Sequence, residues 1–313
     1  MSDRITRPAS WLAVLAVAAT VAACGSSSTS STPSSSTVAS AKSSVAGVNV
    51  AGVYAPAAAL VPASVKSKGT VIVAADATYA PNEFIGPDGH TVVGMDADLA
   101  KSLFPLLGLK PKIVNATFDT IIPGLQSGKF DIGMSSFTDT KAREQVVNFV
   151  DYFTAGESFF ENRSGGPNVN GSLSEICGLS VAVESGTTEE SDAQNQSKKC
   201  VDEGKKAVNV LVYPDQNSAN LALASGRAQL GFADSPVAAY QVKQSGGKFK
   251  LVGASIENAP YGIAVPKNYG NLDEALLTGL KFLISSGQYH TILKKWGVEA
   301  GALNTPTING ATS

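Results

Sequence analysis

From Thr70 onward the chain alternates between short apolar runs and amphipathic stretches. TVIVAA (70–75) is a continuous β-branched run, the pattern of a strand buried on both faces. MDADLAKSLFPLL (95–107) carries Leu99, Leu103, Leu106 and Leu107 at helical spacing, with Asp96 placed to cap and Pro105 placed to shorten the helix. KIVNA predicts a strand, FDTIIPGLQSG a helix ended by Gly128, and FDIGM a strand. The order β-α-β-α-β requires a parallel sheet flanked by helices. It then repeats: strand SVAVE, a helix from about Thr188 to Lys199, strand VNVLVY, a helix through SANLALASG, strand LGFAD, and a helix through VAAYQVKQ. KLVGA, YGIAVP and two helices, in LDEALLTGLKFLISSG and YHTILKKWG, complete the pattern. Two such units fit two α/β lobes better than one.

The chain before Thr70 reads differently. Arg4 and Arg7 precede the apolar run WLAVLAVAATV, which is too short to span a bilayer and closes on Val21-Ala22-Ala23-Cys24. This is a secretory signal, and its ending resembles a bacterial lipobox. That resemblance implies cleavage before Cys24 and a lipid on its sulfur; a plain signal peptide is the alternative. Residues 25–44 include 14 Ser or Thr, a composition that builds no core and reads as a tether. Residues 45–62 show no clear period, leaving a linker with at most a short helix near Leu60. The folded part is expected from about Lys66.

Composition narrows the function. The formal net charge is −2, with no basic stripe, so nucleic acid is not the expected partner. No later run is apolar enough to span a membrane. The remaining cysteines, Cys177 and Cys200, form an even pair in an exported chain, which reads as a disulfide, with two buried thiols as the alternative. Such a bond would close a loop of about 24 residues and contribute roughly 3 kcal/mol. No histidine lies near either, so no metal site is expected, nor any cofactor.

Ligands of open α/β sheets sit beyond the carboxyl ends of the strands. Those ends are Asp76–Tyr79, Ser135–Thr138, Glu184–Thr188 and Asp234. Arg143 has the planar fork that clamps a carboxylate, or it is a surface arginine paired with Glu144 or Asp139. Thr187 and Thr188 open a helix whose free N–H groups attract an anion, while Thr187 and Glu190 also fit a capping box. Ser235 and Pro236 suit a helix start, which leaves Asp234 as a spare carboxylate for an ammonium group, or as a loop aspartate. Tyr79, Phe118 and Phe137 would sandwich a side chain, or belong to the core. Together these groups supply what holds a free α-amino acid.

DATYAPNEF, VGMDADLAKSL, FDTIIPGLQSGKFDIGMSSFTDTKAREQVVNFV, VAVESGTTEE and LGFADSPVAAY, in that order, resemble the successive motifs of the polar amino acid family of bacterial substrate-binding proteins served by ABC importers. The resemblance implies a two-lobe, type II periplasmic-binding-protein-like α/β fold, closing like a hinge. Two crossover strands are expected near Glu157–Glu161 and Ser255–Tyr261. It divides the chain into a signal peptide (1–23), a lipidated tether (24–65), lobe 1 (66–158), lobe 2 (159–255), a return to lobe 1 (256–303) and a tail (304–313). In the family's terms Arg143, Thr138 and Thr188 take the ligand carboxylate, and Asp234 with Ser136 takes its ammonium. Ser135 and Phe137 belong to the same strand end. Tyr79 and Phe118 flank the ligand side chain, and Asp76 and Glu184 read its tip. Both of these are acidic here, which favours arginine, lysine, ornithine or histidine, with glutamine-like and acidic ligands left open. The expected protein is a monomer, lipid-anchored outside the cell, that delivers its ligand to an ABC permease. A sensor module and, further off, a dehydratase using Glu184 or Glu189 are the rival readings.

Overall fold

A computed structural model describes residues 52–311. Its strands are β1 (Thr70–Ala75), β2 (Thr78–Tyr79), β3 (Glu83–Ile85), β4 (Val92–Val93), β5 (Lys110–Asn115), β6 (Ile132–Gly133), β7 (Val147–Asn162), β8 (Ser180–Glu184), β9 (Asn209–Tyr213), β10 (Leu230–Asp234) and β11 (Phe249–Pro266). Its helices are α1 (Ala55–Leu60), α2 (Ala63–Lys68), α3 (Met95–Leu106), α4 (Phe118–Gln126), α5 (Lys141–Glu144), α6 (Thr188–Asp202), α7 (Gln216–Ala224), α8 (Ser235–Gln244), α9 (Leu272–Ser285) and α10 (Gln288–Trp296).

Eight strands share one sheet in the order β5-β1-β6-β11-β7-β10-β8-β9. Its ends are parallel: β1 pairs with β5 and β6, and β8 pairs with β9 and β10. The two long strands between them, β7 and β11, are antiparallel to each other and carry the chain from one α/β half to the other. Both expected crossings fall inside them. KLVGA and YGIAVP, read as separate segments, are the two ends of β11. The register of β11 slips between Val252 and Ile256, between Ile256 and Ala259, and between Tyr261 and Gly262. Opposite these slips stands Gly156, where a Cβ would lie 2.4 Å from the Ile256 carbonyl oxygen; only glycine lets the strands approach so closely.

Apolar burial follows the predicted faces. Leu99, Leu103, Leu276, Leu280 and Tyr289 join α3, α9 and α10 into the core of one half. Phe159 and Phe232, stacked at 4.0 Å between ring centroids, centre that of the other.

The structure departs from expectation at both ends of the fold. The folded part begins by Tyr54, not Lys66. Tyr54 stacks on Phe282 and its N–H donates to the Leu106 carbonyl, and Ala57, Val61 and Val65 are buried. This alanine-rich stretch was illegible because α1 and α2 have six residues each, too few to display a period. At the other end, the expected tail is laid along β7, with a bridge between Val150 and Ile308. Asp96 does not cap α3: its carboxylate accepts the Ser136 N–H and the Tyr152 hydroxyl, and Gly94 holds the cap position. The signal sequence, Cys24 and the Ser/Thr-rich segment lie outside the described residues. Among the described residues no helix is long and apolar enough to cross a membrane.

Cys177 and Cys200 are disulfide-bonded, with Cα atoms 5.7 Å apart, joining the start of the second half to α6. Cys200→Ser, with Cys177→Ser to avoid a free thiol, is expected to lower unfolding stability by about 3 kcal/mol. The shift in denaturant midpoint at unchanged slope measures it; an unchanged midpoint would show that the bond adds nothing.

Candidate functional site

The carboxyl ends of β1, β6, β8 and β10 meet where the two halves face each other. There a small cavity, about 10 Å3, is lined by Tyr79, Phe118, Ser136, Thr138, Arg143, Thr187, Thr188, Glu189 and Asp234. Six of these nine are strand-end residues, and two more, Phe118 and Arg143, are candidates that the sequence singles out for their side-chain chemistry.

Arg143 is the cation of the cavity. It sits on α5, whose first turn is capped by the Thr140 hydroxyl. Nη1 donates to the Thr138 carbonyl at 2.7 Å, and Nη2 donates to the Gly186 carbonyl at 3.0 Å. The guanidinium therefore spans the two halves. Its carbon lies 5.3 Å from the centroid of the Phe118 ring. Neither expected surface partner holds it, since Glu144 pairs with Lys141 instead. Gly186 admits this contact: its φ is +79°, and a Cβ there would press on Asp119 from the opposite half.

Thr187 caps α6 by accepting the Glu190 N–H, as expected, but Glu190 returns to the Gly186 N–H, one residue before the cap. Neither bond uses the Thr188 N–H. Asp234 occupies the N-cap position of α8, where Ser235 was expected, yet its side chain makes no capping bond. It remains the spare carboxylate. Burial, and then the charge of Glu189, raise its pKa well above the usual aspartate range.

Glu189 is the lining residue that sequence reasoning left out, having weighed it only as an enzymatic acid. It is buried, and burial lifts its pKa to about 7 against the opposing pull of Arg143. The signal was present in the Glu189-Glu190 pair. Successive helical side chains point about 100° apart, so when Glu190 caps, Glu189 must face elsewhere.

Three predicted residues stand behind the wall rather than on it. Ser135 is fully buried, donates to Glu83 and accepts the Asp76 N–H. Phe137 is a core ring stacked on Phe118 at 4.5 Å between centroids. Asp76 spends its carboxylate on the Thr78 hydroxyl and on the Phe118 N–H, which caps α4 from outside the helix. The hydroxyl of Ser136, a lining residue, is likewise engaged by Asn82 and Glu83.

Glu184, also outside the lining, is the unusual group. It ends β8 beside Asp76 and Tyr79, is 1% exposed, and no donor reaches either of its carboxylate oxygens with hydrogen-bond geometry. Burial, then the Asp76 charge, push its pKa to about 10. The Tyr79 hydroxyl beside it is also buried without a partner. The site thus has a cationic corner at Arg143, an acid at Asp234 that no helix cap consumes, aromatic walls, and a second buried acid beyond Tyr79.

Residues 71–299 match the model of the bacterial extracellular solute-binding proteins, family 3. The arginine-binding protein ArgT of Corynebacterium glutamicum is 33% identical over 252 residues, 80% of this chain and 82% of that one. The lysine/arginine/ornithine-binding periplasmic protein of Escherichia coli is 30% identical, over 72% of this chain and 87% of its own. An ancestral arginine-binding protein, solved with arginine bound, superposes with a TM-score of 0.67 at 36% identity, covering 73% of this chain and 98% of that structure. The fold is the two-lobe fold of these binding proteins, and the chain is a binding protein rather than an enzyme. It belongs to family 3 of the bacterial extracellular solute-binding proteins.

Proposed function

We propose that this protein captures a free α-amino acid with a cationic side chain and passes it to an ABC import permease. Arg143, Thr138 and the Thr188 N–H take the ligand carboxylate, and Asp234 and Glu189 take its ammonium. Tyr79 and Phe118 flank the side chain, whose charged tip lies against Glu184. The lobes close by flexing β7 and β11, and a lipid on Cys24 keeps the protein at the outer face of the membrane. The names of the relatives support an amino acid ligand. The observation that carries the choice of a cation is Glu184: it is a buried acid beside a second acid, Asp76, and a guanidinium or ammonium group placed there would satisfy its ionised form.

A thermal-shift screen of the purified chain against the common amino acids and ornithine tests this. A ligand at 100 times its dissociation constant adds about 2.7 kcal/mol of stability. Arginine, lysine, ornithine or histidine is expected to give the largest shift. A largest shift from a neutral or acidic amino acid would remove the role given to Glu184, and no shift from any would remove the amino acid reading.

The same geometry predicts proton release on binding. Glu184 holds a proton at neutral pH in the unliganded protein, and a cationic tip beside it favours the charged form. Arginine titrated calorimetrically at pH 7.5 in buffers of different ionisation enthalpy should release protons, about one fewer per site in Glu184→Gln than in the natural protein. A heat independent of buffer would count against contact with Glu184.

A further inference from the structure

The last described residues form a strap that ends against the cationic corner. The Asp151 N–H donates to the Thr307 carbonyl at 2.9 Å, and the Asn309 N–H donates to the Phe149 carbonyl at 3.0 Å. The Phe149 N–H donates to Asn309 Oδ1 at 2.8 Å. Asp151 Oδ2 accepts the Thr307 hydroxyl at 2.7 Å and the Gly310 N–H at 3.1 Å. The strap then leaves β7, and the Ala311 N–H donates to Asp139 Oδ2 at 3.1 Å and to Glu144 Oε1 at 3.3 Å.

Asp139 lies between Thr138, whose carbonyl holds Arg143, and Thr140, which caps the helix of Arg143. Asp139 and Asp151 are 0% and 1% exposed. Each keeps its Oδ1 buried with no donor from the rest of the chain. The two carboxyl groups are brought together by consecutive strap amides, Asp151 taking the Gly310 N–H and Asp139 the Ala311 N–H. Among the described residues no group of three or more acids, histidines or cysteines is arranged to hold a metal ion. A proton shared between the two acids is the donor that this geometry accommodates.

We propose that Asp139 and Asp151, sharing one proton, are positioning residues that tie the Thr138–Arg143 corner to the C-terminal strap, and that loss of this proton loosens the strap and weakens ligand binding. The part concerning ligand rests on the amino acid reading above; the part concerning the strap does not.

The surroundings of the pair are acidic. Glu144 on α5 faces it, answered by Lys141 at 3.1 Å, and Arg143 stands on the cavity side. The β11 backbone contributes the Pro260 carbonyl, which accepts the Asp139 N–H. The strap contributes the neutral groups of Thr307, Gly310 and Ala311. Burial, then the charges of Asp151 and Glu144, lift the Asp139 pKa to about 7, and burial raises that of Asp151. A raised carboxyl pKa favours the folded arrangement fully below the unfolded value of 3.8, and the advantage is lost as pH rises through about 7.

The test is hydrogen exchange of the strap in the unliganded full chain at pH 6 and 8.5, corrected for intrinsic rates, beside the arginine dissociation constant at each pH. Protection of the 303–311 peptide should fall at least tenfold between the two pH values, with a several-fold loss of affinity. In Asp139→Asn the amide is a permanent donor to Asp151, and both changes should vanish while affinity at pH 6 is retained. Asp151→Asn, the same exchange from the other side, should flatten the profile likewise. A pH-independent strap in the natural protein would overturn the proposal. So would an undiminished pH step in both variants, which would assign it to another acid such as Glu189. Failure of the amino acid reading would appear separately, as no arginine binding at any pH with the strap profile intact.

Discussion

Arg143→Ala is expected to weaken every amino acid ligand about a hundredfold or more while the chain still folds. The guanidinium is the cation lining the cavity, and it is already committed in direction by the Thr138 and Gly186 carbonyls, one from each half. A ligand carboxylate arriving there gains a charge-assisted pair without ordering a free side chain. Deleting one partner of a desolvated charge pair costs about 2–5 kcal/mol, and 1.4 kcal/mol is a factor of ten. The core does not depend on Arg143, which is half-buried, so circular dichroism and a cooperative melt should persist. Arg143→Lys separates charge from shape: partial recovery would show that charge is needed, and continued loss that the planar fork is. Affinity unchanged in the alanine variant would disprove the clamp.

Glu184→Gln should move stability and binding in opposite directions. The natural side chain buries a carboxyl whose folded pKa is about 10 against an ordinary 4.5. The folded protein holds that proton where the unfolded chain releases it, so stability is fully present below about 4.5 and is eroded as pH rises toward 10. A neutral amide escapes this penalty, and the unliganded variant should be more stable at pH 8 by about 2 kcal/mol. It should also lose the negative charge that Glu184 offers a cationic tip, weakening arginine and lysine at least tenfold while affecting glutamine little. Melting curves from pH 5 to 9 and calorimetric titrations with arginine and glutamine give both readings. An equal loss for both ligands would show that Glu184 does not read side-chain charge.

The architecture was legible where hydrophobic period and punctuation agreed. β1, α6, α8, α9 and α10 stand where the sequence pattern puts them, and the strand-end rule found six of the nine lining residues, side-chain chemistry adding Phe118 and Arg143. What sequence could not show was which of those side chains the fold consumes. Ser135 and Asp76 have the right chemistry and the right position, but hydrogen bonds to Glu83, Thr78 and Phe118 absorb them. The bonds to Phe118 and Glu83 join residues 42 and 52 apart, beyond any local pattern. The small sheet of β2, β3 and β4 was missed for a different reason: two of its strands have two residues each, shorter than any alternation can register. Glu189 was missed although the capping box already assigned the cap to Glu190: the step not taken was that the neighbouring glutamate must then face another way.

The double employment of Asp76 bears on how ligand choice can drift. Both acids near the side-chain tip are candidates for change, but they are not equally free to change. Asp76 closes the first turn of α4 and restrains the loop at Thr78, so a substitution there disturbs the wall that carries Phe118. Glu184 holds no backbone N–H and caps no helix, and its replacement relieves a burdened site. A lineage moving from a charged to a neutral nutrient has an open path through position 184 and an obstructed one through position 76. Evolvability is concentrated in the residue that the fold needs least.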